Sequence, residues 1–190
     1  MKLILASASP RRREILSALI PSFEIVPAAC EERADLTLPP EEIARSLARQ
    51  KAEEVFSRRP EAAVLGADTI VYFRGKVLGK PKDAEDAKRT LRMLSGNTHS
   101  VFTGYCILCG KNRAEGACET QVEFNALPEP FIEEYVAGGS PMDKAGSYGI
   151  QDDARLVRAY RGSYTNIVGL PEEAIGAELR KLGIILGNSV

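Results

Sequence analysis

Apolar residues along this chain switch repeatedly between a two-residue and a three-to-four-residue spacing, and the switches mark out its elements. Lys2-Leu3-Ile4-Leu5-Ala6 is a short apolar run that stops at Ser7-Ala8-Ser9-Pro10, as a strand followed by a tight turn does. Ser9 can cap a helix, Pro10 suits its first position, and Ile15, Leu16, Leu19 and Ile20 continue at helical spacing. Phe23–Pro27 reads as a second strand, and Pro39-Pro40 opens a helix whose stripe runs through Ile43, Leu47, Lys51 and Val55. Ala63–Phe73 has the composition of a strand buried on both faces, interrupted by Asp68, and Arg74-Gly75-Lys76 turns it back into Val77-Leu78.

Asp83-Ala84 to Leu94 is helical and ends at Ser95-Gly96. From Thr98 to Glu123 the pattern is β, with strands over His99–Thr103, Tyr105–Leu108 and Cys118–Phe124. A helix over Glu129–Val136 leads into a Gly-rich polar loop. Leu156–Arg158 and Ile167–Gly169 are short strand candidates, and a helix over Glu172–Leu182 follows. Strict βαβ repetition is missing, so the expected fold is α/β with a mixed sheet and flanking helices. No internal repeat or long linker divides the chain, and residues 1–190 read as a single domain.

Composition narrows the function classes. With 25 Lys+Arg against 26 Asp+Glu, no global charge calls for a nucleic-acid or membrane-surface partner. The stretch Met1–Ile20 holds Arg11-Arg12-Arg13 and Glu14, which suits neither a signal peptide nor a membrane span, so a cytoplasmic location is expected. Four cysteines are present, including Cys106 and Cys109 as a lone CxxC. With no second pair and one histidine, His99, they read as reduced thiols in a strand rather than as a structural zinc site.

Three features carry chemistry. Ser7-Ala8-Ser9-Pro10-Arg11-Arg12-Arg13 lies between a strand and a helix, where unpaired N–H groups, hydroxyls and guanidinium forks together suit phosphate oxygens. The plainer reading is a capped helix with a solvated basic turn. Cations at a helix N-terminus oppose its dipole, though, so three in a row want a compensating anion. Asp68, in Gly66-Ala67-Asp68-Thr69, sits in an apolar run, where a carboxylate needs a partner. It could ligate a hard divalent cation, take a proton from water, or bond backbone amides at the strand's end. Lys51, Lys80 in Gly79-Lys80-Pro81 and Lys144 stand beside small residues, as solvated lysines or as further phosphate contacts. No Walker A, kinase or Rossmann fingerprint is present.

Taken in order, these segments resemble the Maf family of nucleotide pyrophosphatases. They are joined by Leu47–Ala52, Leu94-Ser95-Gly96 with His99, Thr103-Gly104, Asp143–Gly146 with Tyr148–Gln151, Gly162-Ser163-Tyr164 and Val168–Pro171. The resemblance implies an elongated fold of the inosine-triphosphate-pyrophosphatase type, with two lobes about a central cleft. It implies a nucleoside triphosphate substrate, a divalent metal cation (Mg, Mn or Co), and a homodimer by analogy. By the same resemblance Asp68 would be the general base or a metal ligand, with Glu31 helping to hold the metal. Ser7, Arg12, Lys51 and Lys80 would bind phosphates and offset charge.

In the branch resembling dTTP/UTP pyrophosphatases the base-reading pattern is Arg, Thr and Gln, matched here by Arg11, Thr69 and Gln151. The 7-methyl-GTP branch carries Trp, Gln and Glu there. An amide at Gln151 both donates and accepts, which fits the edge of thymine or uracil, modified pyrimidines included. Two positions depart from the family: Asp152-Asp153-Ala154 replaces a Gly-rich step, and Ser140 replaces a common acidic residue. Two other readings differ in class: a nucleotide-binding cell-division regulator with little catalysis, and a nucleic-acid binder. The second has Arg11-Arg12-Arg13 in its favour, but balanced charge, no Trp and 6% aromatics oppose stable nucleic-acid binding.

Overall fold

The computed structural model describes residues 2–184. Among the described residues seven strands form one mixed sheet: β1 (Leu3–Leu5), β2 (Glu24–Ile25), β3 (Ala63–Phe73), β4 (Lys76–Leu78), β5 (Thr98–Cys109), β6 (Asn112–Phe124) and β7 (Val157–Arg161). Their order is β2-β1-β3-β5-β6-β7, with β4 paired to β3. β1 runs parallel to β2 and β3, while β3/β4 and β6/β7 are antiparallel. The helices are α1 (Pro10–Leu19), α2 (Pro40–Arg58), α3 (Ala84–Leu94), α4 (Glu129–Ala137), α5 (Tyr164–Val168) and α6 (Glu172–Lys181). The expected mixed sheet with flanking helices is therefore observed.

The described residues divide into two compact units: residues 2–68, 103–118 and 169–184, and residues 69–102 and 119–168. In the first unit, side-chain alternation along the strands builds two cores. Leu3, Leu5, Leu65 and Ile107 face Leu16, Ile20, Ile175 and Leu179 of α1 and α6. Ile4, Val64 and Cys106 face Ala52 and Val55 of α2. Cys106 and Cys109 consequently fall into different cores, and burial pushes the Cys106 thiol up to about 12.

α2 lies unusually close to its strands. A Cβ on Gly66 would stand 2.4 Å from the Ala48 carbonyl oxygen, and one on Gly104 would stand 2.2 Å from the Ala44 backbone. The helix meets them with Ala44, Ala48 and Ala52, all fully buried. Small residues on both sides let backbone approach backbone.

The second unit has its own core, with Val71, Phe73, Leu91, Leu94, Phe124, Ile132 and Leu156 contributed by β3, β6, α3, α4 and the turn before β7. His99 is buried in it, edge-on to Phe124 and Tyr148 at ring distances of 5.0 and 5.4 Å. Its Nε2 lies 2.7 Å from the Tyr148 hydroxyl, and its Nδ1 has no partner among the described residues.

Three expected elements need correction. The strands expected over His99–Thr103 and Tyr105–Leu108 are one continuous strand, β5. Ile167 and Val168 end α5 rather than forming a strand. Ser163 Oγ accepts from Asn166 N, and the buried Asn166 amide donates to Val101 O and Thr120 Oγ1, so distant partners outweigh the β-branched preference. β6 begins at Asn112, earlier than Cys118, and within the added stretch Gly116 packs close to Tyr105, where a Cβ would meet its hydroxyl at 2.6 Å.

Gly104→Ala should destabilise the protein by about 1–3 kcal/mol or more, seen as a fall in Tm of roughly 3–10 °C. An unchanged Tm would show that α2 can retreat freely. A second prediction concerns pH. Burial lowers the His99 pKa from 6.5 to about 4, so below pH 6.5 the unfolded chain takes up a proton that the folded chain refuses. Stability should fall by about 2 kcal/mol from pH 7 to pH 5 in denaturant titrations, and His99→Gln should lack this fall.

Candidate functional site

The turn after β1 brings the first group of side chains together. Ser9 caps α1, its hydroxyl accepting from Arg12 N at 3.4 Å, and Pro10 follows at the first helical position. Buried Ser7 accepts from Ser9 N and from Arg12 Nη1, both at 3.2 Å. Arg12 Nε donates to Gly169 O at 2.8 Å, which ties the start of α1 to the segment before α6. Burial lowers the Arg12 pKa, while the charges of Asp68 and Glu32 act to raise it. Its guanidinium thus feels both carboxylates of the centre described next.

That centre is Lys51. One helical face of α2 carries it onto β3, where its Nζ bonds Asp68 Oδ1 and lies 3.1 Å from Glu32 Oε1. Asp68 is buried and Lys51 largely so, with side chains 11% and 12% exposed, so their charges are poorly screened. Asp68 thus has the partner that its place in an apolar strand demands.

The acidic neighbour that reaches Lys51 is Glu32 and not Glu31. Glu31 turns to solvent and pairs with Arg33 at 3.6 Å. The choice is made by α2, which holds the preceding loop at several points. Gln50 accepts from Arg33 N at 3.0 Å and donates to Arg33 O at 2.9 Å, and Glu54 accepts from Ala29 N at 3.1 Å. Gln50 and Glu54 are one helical turn apart and flank Lys51, a spacing that could have pointed to this loop.

The structure therefore gathers Ser7, Arg12, Lys51, Asp68 and Glu32 in the first unit, with Arg11 half-buried in the opening turn of α1. The other expected residues belong to the second unit. Thr69 is half-buried in β3, Lys80 is exposed in the loop between β4 and α3, and Gln151 is exposed at a turn over residues 149–152. The Lys80 loop is fixed from behind by a bond from Gly146 N to Gly79 O, 3.1 Å.

Among the described residues no three His, Cys, Asp or Glu side chains gather as a metal site. Asp68 and Glu32 nevertheless converge on one cation, Lys51, and offer hard oxygens of the kind that Mg or Mn prefers. Two carboxylates suit a cation that completes its shell with water and phosphate oxygens.

Lys51→Met should leave two facing carboxylates without their cation and cost about 1–3 kcal/mol. Adding Asp68→Asn should return at least half of that loss in a double-mutant cycle by denaturant unfolding. Simple additivity of the two changes would mean that they do not interact.

Comparison with known proteins places this arrangement among relatives. The Maf-like protein family matches residues 2–182. A protein of Thermococcus gammatolerans named dTTP/UTP pyrophosphatase is 52% identical, the match covering 95% of this chain and 96% of the relative. One of the same name from Thermococcus kodakarensis is 50% identical, with 95% and 96% covered. A solved nucleoside-triphosphatase / dITP/XTP pyrophosphatase from Mycobacterium abscessus aligns over 96% of this chain and 97% of its own, at 15% identity and a TM-score of 0.44, too distant to bear weight. No described helix is long and apolar enough to cross a membrane. Matched by the family from Lys2 to Leu182, this chain belongs to the Maf family.

Proposed function

We propose that this protein hydrolyses dTTP and UTP, and pyrimidine nucleotides modified on the same base, to the monophosphate and pyrophosphate. The observation that carries the chemistry is Asp68, a buried carboxylate held by Lys51 and facing the charge of Arg12. The base follows from the relatives named dTTP/UTP pyrophosphatase at 52% and 50% identity.

Water attacks the α-phosphorus, the bond from that phosphorus to the bridging oxygen breaks, and pyrophosphate leaves with the bond's electrons. Asp68 accepts the water's proton, a role open to a carboxylate within reach of the attacking water. Lys51 orients that carboxylate and offsets charge that develops on the phosphoryl oxygens. Ser7, Arg11 and Arg12, at the N-terminus of α1, bind phosphate oxygens through hydroxyl, guanidinium and backbone N–H donors. Asp68 and Glu32 would hold the divalent cation, which neutralises phosphate charge when bound. Lys80 adds a further positive charge to the phosphates, as phosphoryl transfer depends chiefly on such stabilisation. Thr69 and Gln151 read the pyrimidine, the Gln151 amide matching the adjacent acceptor and donor on its edge.

Pyrophosphate release from a panel of nucleoside triphosphates with Mg, Mn or Co tests this reading. Turnover of dTTP and UTP should exceed that of purines, stop on chelation and return with the metal. Asp68→Asn should lower kcat by about 10²–10⁴-fold while dTTP still binds. A preference for 7-methyl-GTP would keep the reaction but overturn the assignment of the base, and absence of any turnover would overturn both.

A further inference from the structure

The second unit holds a polar cluster around buried Lys144 and Tyr135 that the reaction above does not use. Lys144 Nζ, its side chain 9% exposed, donates to Ser140 O, to Ser140 Oγ at 3.1 Å and to Asp143 Oδ1 at 2.9 Å, and lies 3.4 Å from Asp152 Oδ2. The same Asp152 oxygen accepts from the Ser140 hydroxyl and from Tyr135 Oη at 2.7 Å. Tyr135 Oη in turn accepts from Gly149 N at 3.1 Å. Asp152 N donates to Gly149 O at 3.0 Å and closes a four-residue turn with Ile150 and Gln151 at its centre.

One phenol therefore holds both ends of that turn. It accepts from the backbone N–H of the first residue and donates to the side chain of the fourth. Gly149 leaves room for this, since a Cβ there would stand 2.7 Å from Asp152 Oδ1. Burial and the bond to Asp152 both raise the Tyr135 pKa, so the donor keeps its proton. Its ring stacks on Phe131 at 5.9 Å, 14° from parallel, which fixes where the hydroxyl points. Gln151 is carried at the exposed centre of a turn whose two ends cannot move independently.

We infer that Tyr135 and Asp152 are positioning residues for base selection, setting the direction in which the Gln151 amide meets the pyrimidine. The inference rests on the reading that Gln151 contacts the base. It also gives a purpose to both departures noted in the sequence. Ser140 and Asp152 replace an acidic residue and a Gly-rich step, and they bond each other. The carboxylate beside Lys144 is thereby supplied from the turn itself. An amide reads an edge only if its oxygen and nitrogen are presented the right way round, so a slack turn would accept cytosine, whose amine and ring nitrogen reverse the pattern.

The test is steady-state kinetics on dTTP and dCTP for the wild type, Gln151→Ala, Tyr135→Phe, Asp152→Asn and Tyr135→Phe/Gln151→Ala. Tyr135→Phe keeps the ring stack and removes only the hydroxyl. It should raise KM for dTTP and lower the dTTP-over-dCTP ratio of kcat/KM by about fivefold, with the loss carried by KM. Asp152→Asn should shift the ratio in the same direction. In the Gln151→Ala background, Tyr135→Phe should change the ratio by less than about twofold, because the group it orients is gone. A purely structural role would instead lower Tm and leave the ratio in place. If Gln151→Ala collapses the ratio and neither Tyr135→Phe nor Asp152→Asn does, the positioning role is overturned and the function stands. If Gln151→Ala leaves the ratio unchanged, the assignment of Gln151 to the base fails, and the inference fails with it.

Discussion

Everything in the charged centre of the first unit depends on how closely α2 can lie against β3 and β5. Lysine reaches only a few ångströms, and the carboxylate it serves is sunk in a strand. Had Gly66 and Gly104 carried side chains, the helix axis would stand off, and Lys51 would meet solvent before it met Asp68. The alanines at 44, 48 and 52 are the other half of this condition. A packing constraint with no chemistry of its own thus decides whether a chemical pair exists.

That pair is one link in a chain of compensating charges. Arg12 is partly desolvated at a helix end that already carries positive potential, and Asp68 and Glu32 answer it. Lys51 sits between the same two carboxylates. Each ion is tolerable because the next one is near. Under the proposed reaction such a centre would be oriented before substrate arrives, which is how electrostatic stabilisation avoids reorganisation at the moment of reaction.

Much of this could be read in the sequence, and what could not has a common cause. β3 was legible to the residue because its apolar run is long and its ends are a proline-flanked approach and an Arg-Gly turn. Ser9 and Pro10 announced α1 because caps act locally. Ile167-Val168 misled because Asn166 answers to Val101 and Thr120, far away in the chain. Glu31 and Glu32 are identical to any local rule, and only the hold of Gln50 and Glu54 on their loop separates them. The nature of Asp68 as an ion-paired centre was open for the same reason, since its partner arrives on a separate element, the helix α2.

The bond from Gly146 N to Gly79 O has a consequence for how such proteins can be recombined. It fastens the Lys80 loop to the Lys144 loop, and Gly146 itself fits only because it has no side chain, a Cβ there falling 2.7 Å from Val71. The two loops are distant in sequence but inherit one backbone geometry. A chimera of two relatives with its crossover between positions 79 and 146 takes one loop from each parent and must reconcile them, whereas crossovers outside that interval pass the pair on intact.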